Sequence, residues 1–86
     1  MEQKYKEGDI TETGFEIIEV NIVYEYVFRK RVVTVREVPF GDTGILKIGS
    51  VGYFYMYPKS RGYVKIDGMG ILFNLKESDY EFIEPN

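Results

Sequence analysis

Short apolar runs alternate along this chain with turn-forming residues at intervals of about ten positions, the pattern of an all-β protein. Turn signals stand at Gly8-Asp9, Gly14, Asn21, Pro39-Phe40-Gly41-Asp42, Gly49, Gly52, Pro58 to Gly62 and Asp67-Gly68. The runs between them are rich in Val, Ile, Tyr and Phe, which suit a pleated, half-buried surface. Strands are expected over 15–20 and 22–29, with a bend or bulge near Asn21, then over 32–38 and 51–57. A tight hairpin at Asp67-Gly68 joins 62–66 to 70–74, one helical turn follows over 75–79, and 80–83 closes the chain. Phe15, Ile18, Ile22 and Tyr26 have helical spacing. The many β-branched residues between them favour strands instead. The predicted core is Phe15, Ile17, Val33, Val35, Phe54, Met56, Val64, Ile66, Ile71, Phe73 and Ile83. A slip of one residue would turn any of these strands over.

Composition narrows the function. The chain has 86 residues and is 44% apolar, so residues 1–86 are read as one domain, with 1–14 a loose N-terminal segment. A chain this short buries roughly 60–65% of its unfolded surface, enough for one modest core. It has no Cys and no His. The usual metal ligands and the commonest general base are thus missing, and no metal site or cofactor is expected. Ser50, Ser60 and Ser78 have no histidine to activate them. The acid pairs Glu77/Asp79 and Glu81/Glu84 read as turn and surface groups. An enzyme is therefore not expected. The net charge of −3 argues against bulk attraction to nucleic acid or anionic lipid. Without an apolar leader at the start or an apolar run near 18 residues, a cytoplasmic protein is expected.

The aromatic residues, eight Tyr and six Phe, carry the most specific signal. In Tyr53-Phe54-Tyr55-Met56-Tyr57, strand alternation puts the three tyrosines on one face and Phe54 and Met56 on the other. Tyr63 and Lys65 repeat the outward set on the next strand, with Val64 and Ile66 inward. Lys59 and Arg61 then rim a patch of Tyr53, Tyr55, Tyr57 and Tyr63. Tyrosine offers rigid apolar area with a polar tip, as protein interfaces use, and beside cations it also stacks single-stranded bases. The same face would be a second core layer if the N-terminal hairpin covered it. Tyr24, Tyr26 and Phe28 form a second aromatic line that packs on the rest of the domain or offers an edge to another chain. Arg29, Lys30 and Arg31 are either solvated turn residues or phosphate contacts. The segments Gly41 to Gly44 and Gly49 to Gly52 lack a phosphate-loop fingerprint and read as turns.

From residue 32 the order is strand, long Gly-containing loop, strand entered through Val51-Gly52, short loop, Asp67-Gly68 hairpin, helical turn and closing strand. This order resembles the SH3-like small barrels of many short bacterial and phage proteins. The resemblance implies a barrel of five to six strands, here with an N-terminal β extension. Such barrels host peptide binders, nucleic-acid binders and virion connectors, so the fold leaves function open. The leading expectation is a non-catalytic protein-interaction module, an accessory or inhibitor protein of a phage or mobile element. Its partner would dock on Tyr53, Tyr55, Tyr57 and Tyr63, oriented by Lys59, Arg61 and Lys65. The alternatives are a single-stranded nucleic-acid binder that adds Arg29, Lys30 and Arg31, and a subunit that assembles with copies of itself. No membrane partner is expected.

Overall fold

The computed structural model describes residues 4–59 and 61–83. It is all-β and antiparallel, with eight strands and one 3-10 turn among the described residues. The strands are β1 (Glu16–Val20), β2 (Tyr26–Thr34), β3 (Val38–Phe40), β4 (Gly44–Leu46), β5 (Val51–Met56), β6 (Tyr63–Ile66), β7 (Leu72–Phe73) and β8 (Tyr80–Phe82). The main sheet runs β1-β2-β5-β6-β7, and β8 also pairs with β2. A strand has two edges. β5 takes one edge of β2 over Phe28 to Val33. β1 and β8 share the other, β1 along its first half and β8 along Val32 to Thr34. The sheets do not close into a barrel.

β2 runs straight through Arg29, Lys30 and Arg31, where the sequence suggested a turn. Alternation continues across the basic run. Phe28, Lys30, Val32 and Thr34 share one face, opposite Met56, Phe54 and Gly52 of β5. Val32 and Thr34 are therefore the buried pair, while Val35 is exposed. The expected core at Val33 and Val35 is out by one residue, because the strand starts near Tyr26 and its parity is set there. Met56, Ile71 and Ile83, also expected in the core, are exposed, whereas Ile17, Val64, Ile66 and Phe73 are buried.

The β3–β4 hairpin lies in what the sequence presents as a loop. It packs Leu46 into the core with Val32, Val64, Ile66 and Phe73. Phe40 meets Phe73 edge to face at 5.3 Å. Gly44 is required opposite Phe40, since a Cβ there would lie 2.8 Å from the Phe40 ring. Thr34, fully buried, fixes the loop after β4: its hydroxyl donates to the Lys47 carbonyl (2.8 Å) and accepts from the Ser50 N–H (2.9 Å). The 3-10 turn Glu77–Asp79 is closed by the Asp79 carboxylate accepting from the Lys76 N–H at 3.0 Å. The chain then returns to β2, and the Val35 N–H donates to the Asp79 carbonyl at 2.9 Å.

The N-terminal segment from Lys4 to Gly14, expected to be loose, is tied to the sheet. The Gly8 N–H donates to the Ile17 carbonyl (2.8 Å), the Ile17 N–H to the Asp9 carbonyl (2.9 Å) and the Thr11 N–H to the Phe15 carbonyl (2.8 Å). The segment thereby covers part of the β1 edge, which would otherwise offer unpaired backbone groups. Residues 1–3 of the same expectation lie outside the described residues. In β1 a bulge at Ile18 shifts the register, pairing Ile17 with Phe28 and Glu19 with Val27. The bulge keeps Ile17 fully buried and turns Glu19 toward the opposite face.

Candidate functional site

The residues opposite the core form one continuous surface on β2, β5 and β6. The register Arg31↔Tyr53↔Lys65 and Arg29↔Tyr55↔Tyr63 places two arginines, two tyrosines, a third tyrosine and a lysine in two adjacent rows. Tyr57, just past β5, stacks on Tyr63 with centroids 5.4 Å apart. Tyr55 stacks on Tyr57 at 6.5 Å, meets Tyr63 at 6.1 Å and meets Tyr53 at 6.1 Å. The four rings are thus one contiguous ladder, as alternation along Tyr53 to Tyr57 implies. The N-terminal hairpin extends the same sheet beside β2, and on this face Tyr57 and Lys65 are exposed and Tyr53, Tyr55 and Tyr63 partly so.

The sequence joined Arg29, Lys30 and Arg31 to this surface only in the nucleic-acid alternative; the fold brings Arg29 and Arg31 onto it and sends Lys30 to the other face. The guanidinium carbons of Arg29 and Arg31 lie 4.2 and 4.5 Å from the Tyr53 ring centroid, so the ring sits against two cations. Each arginine is also paired with an acid. Arg29 Nε donates to Glu16 at 2.7 Å. Arg31 makes a two-point contact with Asp67, at 3.1 and 2.9 Å. These hydrogen bonds are the main reason both guanidiniums hold their protons more tightly than usual. In return, Arg31 lowers the pKa of the Asp67 carboxyl. On the ladder, Tyr63 is pushed up to about 12, first because burial disfavours the phenolate, then because the Tyr57 hydroxyl stands beside it. Tyr63 is therefore neutral at physiological pH.

Lys65 is exposed on the same face, opposite Tyr53. Lys59, in a left-handed backbone conformation (φ 60°), stands almost wholly in solvent, with Glu25 at 3.8 Å. Arg61 is exposed at the start of the segment that leads into Tyr63. Lys65 thus lies on β6 itself, whereas Lys59 and Arg61 lie on the loop between β5 and β6. Ser60 between them lies outside the described residues, as does Glu84 of the acid pair Glu81/Glu84.

Lys30 is separated from its basic neighbours. It points to the other side of β2 and is 8% exposed. Its ammonium donates to the Thr13 carbonyl at 2.7 Å and lies 5.6 and 5.0 Å from the ring centroids of Phe15 and Phe82. The three consecutive bases therefore do not form one phosphate-binding strip. On that side Phe15, Phe28, Phe54, Tyr80 and Phe82 form an aromatic cluster. A cleft of about 360 Å³ opens beside it. Tyr26, from the second aromatic line, packs here on Tyr5 and Phe28.

No helix among the described residues is long and apolar enough to cross a membrane. In comparisons with known proteins the chain matches no protein family, no curated protein and no solved structure.

Proposed function

We propose that this chain is a non-catalytic protein-interaction module that docks a partner on the sheet face of Tyr53, Tyr55, Tyr57 and Tyr63. The observation that carries the reading is the contiguous ladder of four half-exposed tyrosines with Arg29 and Arg31 already neutralised beside it. Tyrosine and arginine are the residues that dominate protein interfaces. Rings held by their neighbours lose little freedom on binding. Paired arginines suit a protein partner better than a phosphate backbone, which would have to compete with Glu16 and Asp67. Lys59, Arg61 and Lys65 orient the partner from the rim.

The strand plan from β2 to β8 supports an open, SH3-like arrangement, with β1 and the first half of β2 as the added hairpin. Small size and this plan are in keeping with an accessory or inhibitor protein of a phage or mobile element, acting in the cytoplasm.

The test has two arms. Immobilised wild-type protein and its Tyr55→Ala variant are compared for the proteins each retains from cell extract, with circular dichroism confirming that the variant is folded. A partner retained by the wild type should bind the variant about 1–3 kcal/mol more weakly, the effect of a mid-sized hot spot. Equal retention by a folded variant refutes the assignment. In the second arm, labelled single- and double-stranded oligonucleotides are titrated at low and moderate salt. Binding that weakens steeply with salt would make phosphate contacts the function instead.

A further inference from the structure

Turns normally carry small or polar residues; the β1–β2 turn carries Ile22, Val23 and Tyr24. It is nevertheless well held. The Asn21 side-chain oxygen accepts from the Val23 N–H (3.0 Å) and the Glu25 N–H (2.9 Å). The Asn21 side-chain amide donates to Glu25 (3.0 Å), and the Tyr24 N–H donates to the Asn21 carbonyl (3.0 Å). Tyr24 is in the left-handed region at φ 59°, which Gly or Asn adopts more readily. This fixed turn presents Ile22 at 96% and Val23 at 59% exposure. The molecule is correspondingly long, 47 × 28 × 22 Å. Its radius of gyration of 14.2 Å exceeds the roughly 12 Å of a compact chain of this length.

The same chain carries an apolar hollow. The cleft of about 360 Å³ is lined by Tyr5, Thr11, Thr13, Phe15, Phe28 and Met56. It shares Phe15 and Met56 with a second hollow of about 350 Å³ beside Phe54, Tyr80 and Phe82. A water-sized group occupies roughly 30 Å³, so either hollow takes more than one aliphatic side chain. Lys4 holds its ammonium 5.3 Å over the Tyr5 ring at the cleft, while exposed Glu19 flanks the hairpin tip together with Glu25, the latter bonded to Asn21 and 3.8 Å from Lys59.

We propose that the occupant of this cleft is a second copy of the chain, inserting Ile22 and Val23 from its β1–β2 tip. An apolar convex tip and an apolar concave cleft on one molecule, each unfilled by its own chain, are complementary in shape and polarity, and Lys4 meets the acid-flanked tip in charge. Exchange about a two-fold axis seats both tips at once and closes the assembly at two chains, whereas exchange without that axis leaves an open row of copies. The acidic flank disfavours anionic membrane as the alternative occupant. The cleft and the tyrosine ladder lie on opposite faces of the sheet, so this pairing does not depend on the function proposed above.

The sequence has no Trp, so Ile22→Trp makes a single reporter at the tip. Sedimentation equilibrium and tryptophan emission are followed over micromolar to millimolar protein. The expected result is a rise in mass toward two chains, with a blue shift of emission over the same range. Met56→Lys and Thr13→Arg, both at exposed cleft residues, should each weaken self-association at least tenfold in protein that circular dichroism shows to be folded. A mass that stays at one chain overturns the proposal. So does a doubled mass with tryptophan still in water, or association untouched by both cleft variants.

Discussion

Gly52 decides which way β5 faces. It pairs with Val32 of β2 on one side and Ile66 of β6 on the other. A Cβ added there would lie 2.2 Å from the Lys65 carbonyl oxygen and 2.8 Å from the Ile66 Cα. Ordinary contact begins near 3.4 Å, so β5 and β6 would have to separate by more than an ångström or change their twist. The obstacle is backbone, which no rotamer change relieves. Overpacking of this kind costs typically 1–3 kcal/mol, and Gly52→Ala belongs at the upper end, about 3 kcal/mol. Total stability for a domain of this length is roughly 4–13 kcal/mol. At about 4–8 °C per kcal/mol, the midpoint of thermal unfolding should fall by roughly 12–24 °C. Gly70→Ala is the control: nothing lies within 4 Å of its Cβ position and its φ is not left-handed. That variant should match the wild type to within about 0.5 kcal/mol or gain slightly from a stiffer unfolded chain. Urea and thermal unfolding followed by circular dichroism measure both. If the two alanine variants were equally stable, the close approach of β5 to β6 at Gly52 would be wrong. The parity that sends Tyr53 and Tyr55 outward would be wrong with it.

Three further outcomes are expected. Thr34→Val removes the hydroxyl that bonds Lys47 and Ser50 and should destabilise by about 1–3 kcal/mol; urea unfolding checks this, and no loss would mean that the loop after β4 is held otherwise. Arg31 depresses the folded-state pKa of Asp67. The stability from that pair is complete above the ordinary carboxylate pKa of about 4 and is lost as pH falls through the lowered folded value. Asp67→Asn should therefore flatten the acid limb of the unfolding midpoint against pH, and an unchanged acid limb would deny the pair any role. Tyr63 is raised to about 12 from an unfolded value near 10, so its stabilisation is complete below about pH 10 and is lost as pH rises toward 12. Phenolate absorbance should show a late-ionising tyrosine that Tyr63→Phe removes, with a shallower alkaline loss of stability.

The sequence alone was enough for the strand content, the hairpin at Asp67-Gly68, the helical turn before Tyr80 and the split of Tyr53, Tyr55 and Tyr57 from Phe54. Each follows from local rules: period-two alternation, turn dipeptides and the preference of Val, Ile, Tyr and Phe for pleated surfaces. The missing His and Cys likewise limit the available chemistry without any structure. What failed was parity and pairing. Val33 and Val35 looked as apolar as Val32, and nothing local says where β2 begins or that Lys30 can take an inward place by lying between Phe15 and Phe82. The β3–β4 hairpin was hidden because its strands are too short to show a period.

Pairing also decided the candidate site. Four tyrosines near one another in sequence suggest a patch. Only the register of β2 with β5 brings Arg29 and Arg31 onto Tyr53, and only the fold brings Glu16 and Asp67 to neutralise them. Alternation within a strand is a local property of the backbone, fixed by the residues themselves. Which strand lies beside which, and in what register, depends on contacts between residues distant in the chain, such as Arg31 with Asp67 or Val32 with Phe82, and these exist only once the sheet has formed.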